Sequence, residues 1–259
     1  MQEHEFFVST LFNRYLVNPV AGLLGFHSEH DLLPPHVVMI ILISLGLVSF
    51  ALWLRPRLSA TDPGGIQQVL EVLFDLLESL AKDIIGPEGS RFFPLIGALF
   101  LYILVSNLLG LIPGFMSPTS NLNVTASCAI IVFIYYHYVG IRAHGVWKYL
   151  AHFAGPSLLL APLLFVIEII SHLARPFSLA VRLFGNIFAE ELIIGTLTSL
   201  FPFLLTLPVM ALALFASTVQ AFIFVVLTMV YLGGALEIAH GEEGAEHAEM
   251  GEREHELSG

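Results

Sequence analysis

Charge is scarce in this chain. Of 259 residues only 12% are Asp, Glu, Lys or Arg, while 56% are hydrophobic; a soluble domain carries roughly 25% charged residues. The shortage is concentrated in runs of about 20 apolar residues, the length a helix needs to cross a bilayer core. Period-two alternation, the mark of barrel strands, is missing. Backbone polar groups in lipid are satisfied only within helices or closed barrels, so the expected fold class is an all-α polytopic membrane protein. Cysteine is nearly absent as well. Cys128 alone excludes an intrachain disulfide, offers no metal motif, and reads as a packing residue within its apolar run. No cofactor motif and no nucleic-acid partner is expected. The start, Met1 to Glu5, lacks a basic n-region, so neither a signal peptide nor a transit sequence is expected.

What charge there is lies outside the apolar runs or in special places. The net charge of −11 owes much to the segment after Leu236, where eight glutamates face one arginine, Arg253. This composition predicts a solvated, disordered tail over 237–259. The spacing of His240, His247 and His255 fits no metal site.

Along the chain, Pro34-Pro35 introduce a first span from about His36 to Leu54, stopped by Arg55-Pro56-Arg57. In Ile66–Ile85, apolar residues recur at helical spacing with Glu71, Asp75, Glu78 and Lys82 between them, the pattern of an amphipathic surface helix. Further spans are expected over Phe92–Pro113 and Leu122–Ile141, followed by long apolar stretches from about Pro156 to Leu200 and from Phe203 to Leu236, with a turn at Phe201-Pro202. The domain plan is therefore an N-terminal extracytoplasmic segment (1–33), a membrane domain (34–236) and the acidic tail (237–259). With five crossings, Arg55, Arg57, Lys82, Arg91, Arg142 and Lys148 share one side, and the turns around Ser117 and Phe201 hold no Lys or Arg. The positive-inside rule then sets the N-terminus outside and the C-terminus in the cytoplasm, with Arg14 as the exception. A helix of about 40 residues would be roughly 60 Å long, twice the hydrocarbon thickness. A strongly tilted C-terminal hairpin is expected.

The fourth run carries polar side chains at membrane depth. With about 100° per residue and Arg182 at zero, Glu168 and Asn186 fall near +40°, Arg175 near +20°, Ser171 near −20° and Ser178 near −40°. These six share one stripe. His172 and Glu190 lie at its edge near +80°, while Glu191 lies opposite. Ionisable residues at this depth cost about 3 kcal/mol or more and usually line a pathway or pair with a partner. Glu168 and Arg175 could simply neutralise each other. Arg182 has no such acid near it on its own helix, and its guanidinium stays charged. If the hairpin folds about Phe201, Arg182 faces Gln220, and Asn186 faces Ala216 beside Ser217 and Thr218. A lone Gln in a span can equally be interhelical glue.

These residues carry a resemblance. Arg182-Leu-Phe-Gly-Asn186 with Glu191, and Gln220-Ala-Phe-Ile-Phe through Leu232, closely resemble subunit a of F-type ATP synthases. Ser106-Asn107-Leu-Leu-Gly-Leu-Ile-Pro113 and Asn121-Leu-Asn-Val-Thr125 look like the second and third membrane helices of that family. The match spans roughly residues 34 to 236. The resemblance implies that Arg182 is the family's essential arginine and Gln220 its neighbour. It implies that Asn186, Glu191, Glu168 and Ser178 match polar positions of two half-channels. It further implies a long tilted helix pair against a ring of c subunits, whose carboxylate supplies the counter-charge, with a b-subunit peripheral stalk and the remaining subunits as partners, in a bacterial inner membrane, and a non-catalytic role. Some members pair the acid at Glu191 with a histidine where this chain has Ala213; Glu190 replaces a small residue, and Asn121 an Asp. Glu190 or His172 is the expected substitute, and Arg175 joins the cytoplasmic side of the path. The competing classes are an autonomous channel or secondary transporter, which calls for inverted repeats that the sequence lacks, a haem-carrying subunit built on His137 and His172, and a purely structural anchor, which leaves Arg182 unexplained.

Overall fold

The computed structural model describes residues 7–18, 33–112, 115–147, 149, 161–200 and 206–257. Among these it is mostly helical, with no strand. A short helix α1 (Phe7–Phe12) continues into a wider turn at Asn13–Val17. Asn13 Nδ2 donates to the carbonyl of Leu33 at 2.9 Å and ties this segment to the start of the first span.

Helix α2 (Pro35–Leu54) begins with proline in its first turn, where the missing N–H has no intrahelical partner to lose. It ends at Arg55-Pro56-Arg57, with the Arg57 guanidinium 3.7 Å from the Trp53 ring centroid. Helix α3 (Gly65–Ile85) stops at Gly86, whose φ of 101° suits glycine. Its Leu77 and Ala81 are buried in the core, and its polar side is fastened by Glu78, which accepts from Ser90 Oγ at 3.0 Å and meets Lys82 Nζ at 2.8 Å. The Lys82 and Ser90 bonds hold this exposed carboxyl below the usual carboxylate range.

Helices α4 (Phe93–Gly110), α5 (Leu122–His144), α6 (Ala161–Leu200) and α7 (Thr206–Leu257) form the bundle. Asn121 caps α5, its Oδ1 accepting from Asn123 N at 2.9 Å, as an N-cap side chain should. The core interdigitates Ile96, Phe100 and Ile103 of α4, Val132 and Tyr136 of α5, Leu179 and Leu183 of α6, and Phe224, Met229 and Leu232 of α7. Edge-to-face pairs such as Phe100–Phe222, 6.4 Å apart, add specificity, since in lipid packing rather than water release drives helices together. Five helices are long and apolar enough to cross a membrane: Pro35–Arg57, Pro87–Gly110, Leu122–Ala143, Pro162–Leu200 and Thr206–Leu236. The amphipathic α3 is not among them, as its interspersed charges predict.

One difference from expectation concerns the chain's end. The backbone of α7 is helical through to Leu257, where composition predicts a disordered tail; Glu and Ala, abundant there, are strong helix formers. The Phe201-Pro202 turn, Pro156 to Leu160, Pro113 and Lys148 lie outside the described residues.

Candidate functional site

Two polar clusters lie toward opposite ends of α6, with Arg182 between them. The first forms where α4 ends and α5 begins. Asn186 Nδ2 donates to Glu190 Oε1 at 2.9 Å, one helical turn on. Ser217 Oγ of α7 donates to the other oxygen, Glu190 Oε2, at 2.7 Å. The carbonyl of Ser217 in turn accepts from Asn107 Nδ2 of α4 at 3.2 Å. Thr119 Oγ1 donates to Asn107 Oδ1 at 2.7 Å and sits 2.7 Å from Ser117 Oγ, which contacts the Ser106 carbonyl at 3.0 Å. The backbone N–H of Ser117 donates to Glu191 Oε1 at 3.2 Å.

This connected set joins α4, the turn before α5, α6 and α7. Ser106, Asn107, Ser117, Thr119 and Ser217 are buried, so each lost partner would leave a polar group dry at a cost of about 1–3 kcal/mol. The two hydroxyls of Ser117 and Thr119 make three oxygen–oxygen contacts with only two protons between them. One of the three therefore lacks a hydrogen at any moment, and only the Ser117–Thr119 contact can run in either direction, since the Ser106 carbonyl and Asn107 Oδ1 accept only. The links to Glu191 and from Asn107 to Ser217 run through amide N–H groups, which hold geometry rather than pass protons. The cluster fixes the two carboxylates in place. Gly110 permits it: a Cβ there would lie 2.6 Å from Ser117 Cβ.

The second cluster sits toward the other end of α6. Glu168 Oε1 meets His172 Nε2 at 3.1 Å, and His172 Nδ1 meets Tyr136 Oη at 3.0 Å. Both ring nitrogens of His172 are thus engaged, which leaves neither for a haem iron. His137 Nδ1 lies 2.8 Å from Tyr149 Oη, and its ring is 5.1 Å from that of His172. The Arg175 guanidinium stands 5.5 Å from the Tyr231 ring centroid. Glu168 is joined to His172 rather than to Arg175, because residues four apart are helical neighbours and residues seven apart are two turns away.

Arg182 is exposed on the outer side of α6, and so is Ser178 one turn before it. Their surroundings include the exposed apolar Phe177 and Val181. Among the described residues, the ion pairs join Lys82 to Glu78, Arg91 to Glu88 and His172 to Glu168; none uses Arg182. Gln220 is 6% exposed and its Nε2 has no hydrogen-bond partner among the described residues.

The sequence stripe thus divides three ways. Asn186 and Glu190 meet directly, Glu168 and His172 meet directly, and Arg182 with Ser178 faces outward. Glu191, on the opposite face by rotation, reaches Ser117 inside the chain. A fold axis at Phe201 would set Leu212 opposite Glu190; Ser217 stands there instead, since the helices end at Leu200 and resume at Thr206. Sequence reasoning missed Thr119 and Ser117, and named Asn107 only as part of a motif. An amide inside an apolar span is the signal that could have singled it out.

The family described as ATP synthase A chain matches residues 37–233. The chain is 48% identical over 232 residues to ATP synthase subunit a of Trichlorobacter lovleyi, covering 89% of this chain and 98% of that one. It is 49% identical over 212 residues to ATP synthase subunit a 1 of Syntrophotalea carbinolica, covering 82% and 90% respectively. With ATP synthase subunit a of Geobacter sulfurreducens it shares 51% identity over 178 residues, 69% of this chain and 77% of the relative.

Proposed function

The chain belongs to the ATP synthase A chain family, and from that premise we propose that it is the ion-translocating stator subunit of the membrane sector of a bacterial F-type ATP synthase. It carries ions, and the chemistry on nucleotide belongs to other chains of the complex. The observation that carries this reading is Arg182, a charged side chain exposed on an apolar outer surface with no acid in ion-pair range among the described residues. Stranded at that depth, a guanidinium needs an anion from outside. A carboxylate on a helix of the c-subunit ring provides it.

The mechanism then has three parts. An inlet half-channel leads past Glu191, Glu190 and Asn186, and an outlet past Glu168, Ser171, His172 and Arg175. By helical rise, Arg182 stands about 12 Å from Glu190 on one side and about 15 Å from His172 on the other, which keeps it between the two paths. A rotor carboxylate passing Arg182 is favoured in its ionised form, because a nearby positive charge stabilises the anion. The same charge repels any cation moving straight between the half-channels. Gln220 sits on the return helix, buried, and its Nε2 has no hydrogen-bond partner among the described residues, so it holds a spare donor on the inner side of the ion path. Each charge crossing 100 mV delivers about 2.3 kcal/mol, so a direct leak would dissipate the drive for ATP synthesis.

The distribution of Arg55, Arg57, Lys82, Arg91 and Arg142 supports an orientation with the N-terminus outside and the C-terminus in the cytoplasm. The inlet then faces the periplasm. The b-subunit stalk anchors the chain against rotor torque.

Cysteine cross-linking tests the assignment. Ser178→Cys is expected to form a disulfide with a cysteine placed beside the rotor acid in the assembled complex. A Ser178→Cys chain that cross-links to no rotor position, together with ion flux by the purified chain alone, would favour an autonomous channel.

A further inference from the structure

We propose that the cavity between the ends of α4, α5 and α7 is a binding site for the phosphate headgroup of an anionic membrane phospholipid. The cavity encloses about 310 Å³ and is lined by Arg91, Arg142, Tyr135, Tyr138, Glu88 and Leu236, among others. It is separate from both polar clusters on α6.

Three features point to this ligand. Two guanidiniums line one cavity, and arginine's planar fork matches phosphate oxygens in pairs. Arg142 Nη1 is held by Tyr138 Oη at 2.9 Å, which orients the guanidinium without neutralising it. Among the described residues Arg91 is engaged by Glu88 alone, at 3.9 Å with both side chains about two-thirds exposed; such a pair contributes little and yields readily to phosphate. Glu88 itself opposes an anion, so the site needs both arginines.

The position selects a lipid rather than a soluble anion. Arg91 lies in the first turns of the apolar span Pro87–Gly110, Arg142 in the last turn of Leu122–Ala143, and Leu236 at the end of Thr206–Leu236, so the cavity lies at the ends of three spans, at the water–lipid boundary. From Tyr138 the outer side of α5 runs down through Ile134 and Ile131, all three at least half exposed. These positions lie three to four residues apart, on one side of the helix. This apolar track begins at the cavity mouth and gives an acyl chain continuous contact below its headgroup. Basic pockets between spans at this level suit anionic headgroups.

The test uses the full chain in its assembled complex, purified from membranes and examined by native mass spectrometry with dioleoyl-phosphatidylglycerol or dioleoyl-phosphatidylcholine. Phosphatidylglycerol is expected to remain bound and phosphatidylcholine to be lost. The Arg91→Gln/Arg142→Gln pair should weaken phosphatidylglycerol retention by roughly tenfold to thirtyfold, the scale of two juxtamembrane cations. ATP-driven proton pumping should persist, since neither arginine belongs to the ion path; this separates failure of the lipid site from failure of the stator assignment. Should the pair not assemble, Arg142→Lys and Tyr138→Phe supply the reading: each keeps the local charge, loses the oriented fork, and should lower retention severalfold. Unchanged retention in these variants overturns the proposal. So does displacement of the lipid by millimolar inorganic phosphate, which would mark a soluble-anion site.

Discussion

Ser217 and Glu190 meet across the α6–α7 pair, the serine hydroxyl donating to Oε2 at 2.7 Å over 27 residues of sequence. With Asn186 bonded to the other oxygen, both carboxylate oxygens have a donor, an arrangement that holds the side chain in one orientation. Among the described residues no histidine joins this pair, and position 213, on the same helix as Ser217, is alanine.

Ser217→Ala should therefore free one oxygen of Glu190 and let the carboxylate turn. A hydrogen bond to a charged group is worth about 1.5–3 kcal/mol, so ATP-driven proton pumping in inverted vesicles is expected to fall roughly tenfold or more. Ser217→Thr keeps the hydroxyl and should pump nearly normally. Equal loss in both variants would mean that packing, not the donor, matters.

Gly110→Ala tests how closely the Ser117 turn must approach α4. The added methyl meets Ser117 Cβ at 2.6 Å, so the turn must move and its N–H must leave Glu191. Overpacking of this kind costs about 1–3 kcal/mol. Thermal melting of the purified complex should drop and pumping should slow together. A variant with an unchanged melting temperature would show that the turn gives way freely.

His172→Phe removes contacts to both Glu168 and Tyr136. ATP synthesis in energised vesicles is expected to fall severalfold, and Glu168→Gln should fall similarly. Because the two residues act as a pair, the double variant should be little worse than either single one. Multiplicative losses would place them in separate roles.

Much of this architecture is legible in the sequence. Apolar runs bounded by prolines and arginines locate the spans because lipid forbids unpaired backbone. The contacts of Asn186 with Glu190 and of Glu168 with His172 are ordinary i, i+4 helix geometry, yet the sequence equally offers Glu168 to Arg175, and only the structure decides between them. Glu191 shows the limit: rotation sets it opposite Arg182, but only the packed structure reveals that this side meets Ser117. Asn107, Thr119 and Ser217 are likewise unreadable as a set, since they come from three elements and their contacts depend on helix crossing. The pairing of Glu190 with Ser217 differs from a register centred on Phe201, because the midpoint is set by where the two helices end, at Leu200 and Thr206.

The central claim is that Arg182 pairs with a moving carboxylate of another subunit. It is tested most directly by Arg182→Ala in the assembled complex, with ATP synthesis and passive proton conductance measured on the same vesicles. Synthesis should be abolished while the complex still assembles, and proton leak should rise as the barrier between the half-channels is lost. Synthesis at the normal rate with no added leak would contradict it.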